Sequence, residues 1–348
     1  MRILVILTLG CFLSWAAPVQ NVILITADGL RWQDVFHGID PLLARERSAR
    51  MDKAQDRREK YERATEKERR EALMPFFWTK FAPQAAVFSD VRVTNGIRVS
   101  YPGYSEILTG RSEDRLIHSN FAIRNPNSTV LEFLKSSLHL SKQEVGLFAS
   151  WRTFRQIGEH TEGSIFINAG YETAEFPGAT PELSELSRIQ FHLLTPSDEA
   201  RHDFVTGSMA LEYLRIAKPR VLYVAFDETD DWAHERRYDR VLDAIADFDS
   251  FLDRLWTTIG NLDEYRGRTA VIITSDHGRG STLTDWSDHG PAVEGAERVW
   301  LAICGPNIQP RLENQQVIEQ RDIAPSIVRL MGIDPAAYKG VTGKASLR

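Results

Sequence analysis

Carboxylate and imidazole side chains follow three separate apolar runs in this 348-residue chain. The runs 22–27, 221–226 and 270–275 lead, in that order, to Asp28, to Asp230 with His234, and to Asp276 with His277. Taken singly, each group is typical of a turn or of a helix start. Their repetition at the same kind of position indicates a shared site.

These side chains would meet at one edge of a parallel sheet. A continuous apolar run is typical of a central parallel strand, and ligands bind beyond the carboxyl ends of such strands. His289 follows the third run closely enough to join them. Three aspartates and three histidines could hold two metal ions. This ligand set suits zinc, although manganese or iron could also occupy it. Asp230 is preferred over its acidic neighbours because of its four-residue spacing to His234.

Two neighbouring metal ions are well suited to phosphoryl chemistry, which also needs a nucleophile. Ser100 is a candidate because it lies at a turn that opens a predicted helix, where the backbone favours anions. A serine hydroxyl is a weak nucleophile until a base or a metal ionises it. A serine before a helix is also a common N-cap, and position alone favours that interpretation.

The order of elements predicts an α/β fold. Apolar runs alternate with amphipathic stretches, one of which places Val241, Ile245, Phe248 and Leu252 on one helical face. Helices are predicted over 129–138 and 199–218. This alternation is typical of a mostly parallel sheet covered on both faces.

The slightly acidic composition argues against nucleic acid as the main partner. The chain is 43% hydrophobic with a net charge of -6, which indicates an ordinary globular protein without the basic face that phosphate backbones require.

Residues 1–17 are predicted to be a secretory signal, so the catalytic domain spans 18–348. Their apolar run is shorter than the ~20 residues that span a bilayer, so no membrane span is expected after signal removal. Lipoprotein anchoring through Cys11 is disfavoured because Thr8 stands where such sites carry an aliphatic residue. Cys304 would then have no disulfide partner in the chain, which fits an exported, periplasmic bacterial protein.

Two segments are predicted as insertions. The segment 41–75 is highly charged, with eleven basic and eight acidic residues between positions 45 and 71. Acid-to-base spacings of four indicate one long exposed helix or a helical hairpin. The segment 151–197 is rich in Gly, Thr, Pro and charge, and is interpreted as an insertion that shapes a substrate pocket.

Six segments carry motifs in a fixed order. They are residues 21–29, 100–110, 228–234, 275–278, 289–290 and 322–326. The second opens with a serine and an aromatic–proline pair and closes with Thr-Gly. Together the segments resemble the alkaline phosphatase superfamily, and most closely its branch of nucleotide pyrophosphatases and type I phosphodiesterases.

The resemblance implies a three-layer α/β/α fold and two divalent metal ions, most simply zinc. One ion would bind Asp230, His234 and His289. The other would bind Asp28, Asp276, His277 and the Ser100 oxygen. Ser100 would attack a phosphate ester to form a phosphoserine that is then hydrolysed, and Asn120 would donate a hydrogen bond to a phosphate oxygen.

Three positions depart from related patterns. Gly103 stands where the phosphodiesterase branch has Asn, and Ser100 where it has Thr. The sulfatase pattern, Cys or Ser followed by x-Pro-x-Arg, requires conversion of its first residue to an aldehyde. Tyr104 stands at its arginine position, so sulfatase activity is not expected.

The predicted function is hydrolysis of small phosphate esters, of the phosphodiesterase or nucleotide pyrophosphatase type. A phosphomonoesterase is the first alternative. It would use a basic side chain to meet the dianionic phosphate, with Arg98, Arg111, Arg152 and Arg279 as candidates. A non-catalytic exported protein that binds metal or ligand is the second, and the complete ligand set weighs against it.

Overall fold

The computed structural model describes residues 19–313 and 315–347. The predicted signal segment and Cys11 therefore lie outside the described residues. The strands are β1 (Asn21–Ala27), β2 (Ala86–Arg92), β3 (Val145–Ala149), β4 (Phe166–Ala169), β5 (Val221–Phe226), β6 (Thr269–Thr274), β7 (Arg298–Cys304), β8 (Arg311–Glu313) and β9 (Ile318–Glu319).

The helices surround this sheet. They are α1 (Trp32–His37), α2 (Ala54–Tyr61), α3 (Glu66–Leu73), α4 (Ser100–Thr109), α5 (Val130–Ser137), α6 (Phe154–Ile157), α7 (Pro181–Ile189), α8 (Asp203–Ala217), α9 (Glu228–His234), α10 (Tyr238–Asn261) and α11 (Ile323–Leu330). A π-helical turn spans Phe77–Phe81, and short 3-10 turns connect several of the other elements.

The strands form a single mixed sheet. Its order is β4-β3-β5-β1-β6-β7-β2-β8, with β9 also paired to β2. Strands β5 and β6 both pair with β1 in parallel. Strand β7 runs antiparallel to both of its neighbours, β6 and β2. The sheet is therefore mostly parallel, as predicted.

Each face of the sheet packs against its own hydrophobic core. Successive residues of β1 alternate between the two cores, with Ile23 in one and Leu24 in the other. The first core also contains Met209 and Ile245 of α8 and α10. The second contains Ile107 of α4, among others. The α/β arrangement with helices on both sides of the sheet is thereby confirmed.

The helix predicted over 199–218 begins later, at Asp203. Ala200 instead forms an isolated antiparallel bridge with Trp151, and the Arg201 amide donates to the carbonyl of Ser150. This pairing keeps the chain extended, so the helix cannot start before the extended segment ends.

The charged segment forms a helical hairpin, and the alternative of one long helix is wrong. Helices α2 and α3 are separated by residues 62–65, and Thr65 caps α3 in a reciprocal arrangement with Glu68. The hairpin also packs on the body, because Tyr61 and Leu73 are buried in the first core and Arg57 pairs with Asp243 of α10 at 2.5 Å.

The segment 151–197 contains α6, β4 and α7. Strand β4 pairs with β3 and extends the central sheet at its edge, so part of this segment belongs to the sheet. Its role in a substrate pocket stays a prediction. Across the described residues, none of the helices combines the length and apolar character needed to cross a membrane.

Candidate active site

Three adjacent strands bring the predicted site residues together. The central order β5-β1-β6 places the carboxyl ends of these parallel strands side by side. Asp28 follows β1 directly, Asp230 lies in α9 just beyond β5, and Asp276 follows β6 after one residue. The geometry agrees with the expectation that strand ends share one edge.

The first cluster is fully buried. His277 Nε2 lies 3.2 Å from Asp28 Oδ1 and 3.5 Å from Asp276 Oδ2. Asp276 Oδ1 accepts a hydrogen bond from the Gly29 amide at 3.0 Å, whereas Asp276 Oδ2 is buried without a hydrogen-bond partner. A buried carboxylate oxygen without a donor indicates a position for a cation.

The second cluster lies beside the first. His234 Nε2 is 3.0 Å from Asp230 Oδ2 and 3.1 Å from His289 Nε2. The rings of His277 and His289 stack with centroids 4.0 Å apart. The side chain of His234 is 52% exposed, so the two clusters form one continuous site that opens to solvent at this residue.

Two histidines have a fixed orientation. The Nδ1 atom of His277 contacts the carbonyl of Gly278 at 3.0 Å, and that of His289 contacts the carbonyl of Arg98 at 3.2 Å. A carbonyl can only accept, so Nδ1 donates in each case. This leaves Nε2 directed at the carboxylates, which is the second-shell arrangement of metal-binding histidines.

The charges of the site are poorly balanced by the side chains alone. Burial, together with the neighbouring Asp28, raises the pKa of Asp276 to about 8. Burial and the charge of His277 lower the pKa of His289 far below its usual range. A cation bound beside Asp276 would favour its ionised carboxylate, and a neutral imidazole is the form of His289 that can bind a metal ion.

Ser100 is the first residue of α4 and not its cap. The cap is Val99, which offers no side-chain hydrogen bond. The Ser100 hydroxyl is 3.4 Å from Asp28 Oδ1 and 3.5 Å from His277 Nε2. The cap interpretation of Ser100 is therefore wrong, and its hydroxyl faces the first cluster.

Asn120 lies at the same helix end. Its Oδ1 accepts a hydrogen bond from the Tyr101 amide at 2.9 Å. Because Oδ1 is held by this bond, the amide NH2 of Asn120 is the group available to donate to a ligand oxygen. Its predicted role in phosphate binding stays a prediction.

Two buried residues support the ligands and had not been assigned this role from the sequence. Tyr104 donates a hydrogen bond to Asp28 Oδ2 at 3.0 Å. Arg279 donates to Asp230 Oδ1 and, at 3.1 Å, to the carbonyl of Gly29. The only sequence signal for Tyr104 is its position one helical turn after Ser100, which places both side chains on one face of α4.

Comparison with known proteins places the chain in a family. The Sulfatase family model matches residues 20–333. The chain belongs to the Sulfatase family. This membership agrees with the predicted alkaline phosphatase superfamily and supports a hydrolase, whereas the phosphodiesterase branch and the ester type stay predictions. Comparison with curated proteins finds no significant match.

Solved structures share the fold at low sequence identity. A phosphonate monoester hydrolase from Silicibacter pomeroyi is 13% identical with a TM-score of 0.61, over 94% of this chain and 76% of that one. An alkaline phosphatase superfamily protein from Vibrio parahaemolyticus is 15% identical with a TM-score of 0.56, over 95% and 70%. The lipoteichoic acid synthase LtaP from Listeria monocytogenes is 10% identical with a TM-score of 0.57, over 95% and 76%.

Proposed function

We propose that this protein is an exported metal-dependent hydrolase of phosphate esters, with a preference for diesters. The observation that carries the proposal is the Ser100 hydroxyl, which lies within 3.5 Å of both Asp28 and His277 at the N-terminus of α4. The free amide groups and the dipole of that helix end favour an anionic phosphoryl group next to the serine.

The residues present fit two divalent cations. Asp28, Asp276, His277 and Ser100 would hold one ion, and the unpartnered Asp276 Oδ2 supports this assignment. The other would be held by the second cluster, whose members are Asp230, His234 and His289. Bound divalent ions would supply Lewis-acid stabilisation of the serine oxygen and of the phosphoryl oxygens, and zinc, manganese or iron suits these donors.

The side chains of this chain would then position the ester. Ser100 is buried, so its oxygen is shielded from bulk water and directed at the first cluster. After loss of its proton, this oxygen would attack phosphorus, break one ester bond and release one alcohol, which leaves a serine-linked phosphate that keeps the second ester group; water would then hydrolyse this adduct to free serine and a phosphate monoester. The Asn120 amide would donate to a nonbridging oxygen.

The surroundings of the candidate arginines favour a diester over a monoester. Arg98 lies 3.4 Å from Glu297, Arg111 lies 2.5 Å from Glu113, Arg152 pairs with Glu199, and Arg279 pairs with Asp230. Each guanidinium is therefore already balanced by a carboxylate. A second negative charge on a monoester would lack the basic partner that the phosphomonoesterase alternative requires.

Hydrolysis of sulfate esters is the second candidate, and the family match favours it. The presence of Tyr104 at the position where the sulfatase pattern has arginine weighs against it. The non-catalytic alternative is disfavoured because the ligand clusters and the serine converge on one site.

The test is a comparison of three substrates with purified, metal-loaded protein. We expect bis(p-nitrophenyl) phosphate to be hydrolysed with a higher kcat/KM than p-nitrophenyl phosphate, and p-nitrophenyl sulfate to be hydrolysed least. Activity should disappear with a chelator and in Ser100→Ala. The control Ser105→Ala, whose hydroxyl contacts Asn125 instead of the clusters, should retain it. Hydrolysis of the sulfate ester alone would refute the proposal.

A further inference from the structure

The loop after α4 carries exposed apolar side chains close to the nucleophile. Phe121 is 72% exposed, and Leu116 and Ile123 on the same loop are 43% and 46% exposed. Single exposed apolar residues are ordinary on protein surfaces. Here three lie within eight positions, with Leu116 before Asn120 and with Phe121 and Ile123 after it, and Asn120 contacts α4.

This surface is held in place by the residue next to the nucleophile. The Tyr101 amide donates to Asn120 Oδ1 at 2.9 Å, and the Tyr101 hydroxyl donates to the carbonyl of Ile123 at 2.7 Å. Both anchors of the turn 119–123 therefore belong to Tyr101, which directly follows Ser100. Phe121 lies between the two anchored positions.

The turn is also closed internally. The Ile123 amide donates to the carbonyl of Phe121 at 2.7 Å, and the Phe121 amide donates to Ser119 Oγ at 3.3 Å. Both backbone groups of Phe121 are thus engaged, and its side chain is the part left to contact another molecule. A rigid turn lowers the entropy cost of such a contact.

The polar and apolar parts of this turn match the two parts of an ester. The Asn120 amide can donate to an oxygen of the anionic centre, whereas Phe121 can only contact carbon. Phe121 Cα lies one peptide unit, ~3.8 Å, from Asn120 Cα. An ester whose anionic centre reaches Ser100 and Asn120 would place its organic group beside the turn 119–123, on which Phe121 is the most exposed apolar side chain.

We propose that the turn 119–123 is the binding surface for the organic group of the substrate, and that Phe121 selects esters of aromatic or other apolar alcohols. This inference rests on the proposed function for the position of the anionic centre at Ser100. Phe121 acts as a specificity-determining residue and takes no part in bond breaking.

The test measures binding of non-hydrolysable anions to the metal-loaded protein by calorimetry. Methylphenylphosphinate and dimethylphosphinate, which carry one negative charge like a phosphate diester, form one pair, and benzenesulfonate and methanesulfonate form a second. The members of each pair differ in apolar area while keeping the anionic group. The variants are Phe121→Ala and Phe121→Leu. The control is Leu312→Ala, which removes an exposed apolar side chain on β8, four strands away from β1.

We expect wild-type protein and Leu312→Ala to bind the phenyl member of the phosphinate pair roughly 5- to 10-fold more tightly than the dimethyl member, the preference expected from partial burial of one ring. Phe121→Ala should reduce this preference to about twofold or less without changing dimethylphosphinate affinity, and Phe121→Leu should keep part of it. If Phe121→Ala keeps the full preference for the phenyl member, the inference is overturned. It is also overturned if wild-type protein shows no such preference or if it binds neither pair.

The two proposals can fail separately. If only the sulfonates bind and only sulfate esters are hydrolysed, the phosphate-ester proposal is refuted. The role of Phe121 is then decided by the benzenesulfonate and methanesulfonate pair under the same criteria.

Discussion

Tyr104 is predicted to hold Asp28 in the orientation that metal binding requires. Its hydroxyl donates to Asp28 Oδ2 at 3.0 Å, which leaves Asp28 Oδ1 directed at Ser100 and His277. Tyr104 is fully buried, and its ring packs edge-on against Phe154 with centroids 4.6 Å apart. The substitution Tyr104→Phe keeps this packing and removes only the donor.

The expected loss of metal affinity in Tyr104→Phe follows from the strength of this buried hydrogen bond. A hydrogen bond to a charged group contributes about 1.5–3 kcal/mol, which corresponds to a loss of roughly 10- to 150-fold in an equilibrium constant. Loss of second-shell partners commonly weakens metal binding by about 10- to 100-fold. We therefore expect Tyr104→Phe to bind one of the two ions at least about 10-fold more weakly.

The assay is competition with a chromophoric chelator, which reports metal affinity without depending on turnover. The control is Tyr223→Phe, because Tyr223 is equally buried and its hydroxyl also makes a 3.0 Å hydrogen bond, to Thr26 instead of to a predicted ligand. Tyr223→Phe should lower thermal stability but leave metal affinity unchanged. Wild-type affinity in Tyr104→Phe, or an equal loss in both variants, would refute the reasoning.

Three further predictions concern the same edge of the sheet. Asp28→Ala and His277→Ala should each abolish hydrolysis and release metal, and retained activity with full metal content would disprove the two-ion assignment. Arg279→Met should leave Asp230 without its buried guanidinium partner. The number of metal ions bound per chain, measured by mass spectrometry, should therefore fall from two towards one. Two bound ions in this variant would contradict the prediction. A hydrogen bond to a neighbouring carboxylate raises the pKa of His202, so its stabilising effect should be present below the unfolded pKa and be lost as pH rises through the folded value. His202→Gln should therefore destabilise the protein more at pH 6 than at pH 9 in urea unfolding, and an equal loss at both pH values would refute this.

The strand ends could be predicted from the sequence because their positions follow from local pattern. Continuous apolar runs identified β1, β5 and β6, and carboxylates within four residues of their ends had to lie near one edge once the sheet was parallel. Thus the proximity of Asp28, Asp230 and Asp276 required no knowledge of loop conformation.

The supporting contacts could not be predicted because they depend on how separate elements pack. Tyr104 meets Asp28 across 76 positions of sequence, through the packing of α4 against the sheet. Arg279 was considered for substrate binding, but its guanidinium is buried against Asp230. No local pattern distinguishes a buried arginine that orients a ligand from an exposed one that meets a substrate.

The contacts of the charged hairpin with the core could likewise not be predicted from the sequence. Its charge pattern indicated exposed helices correctly, but not that Tyr61 and Leu73 would enter the first core. Two isolated apolar residues in a charged segment give little periodic signal. Their burial depends on packing against the rest of the first core, which the segment itself does not encode.

The most direct test of the central claim is detection of a covalent phosphoserine. Metal-loaded protein would be mixed with bis(p-nitrophenyl) phosphate, quenched in acid during turnover, digested and analysed by mass spectrometry. We predict a phosphoryl adduct, ester-linked or hydrolysed, on the peptide that contains Ser100, and its absence from Ser100→Ala together with loss of turnover. Turnover by wild type without an adduct, combined with an active Ser100→Ala, would contradict the account.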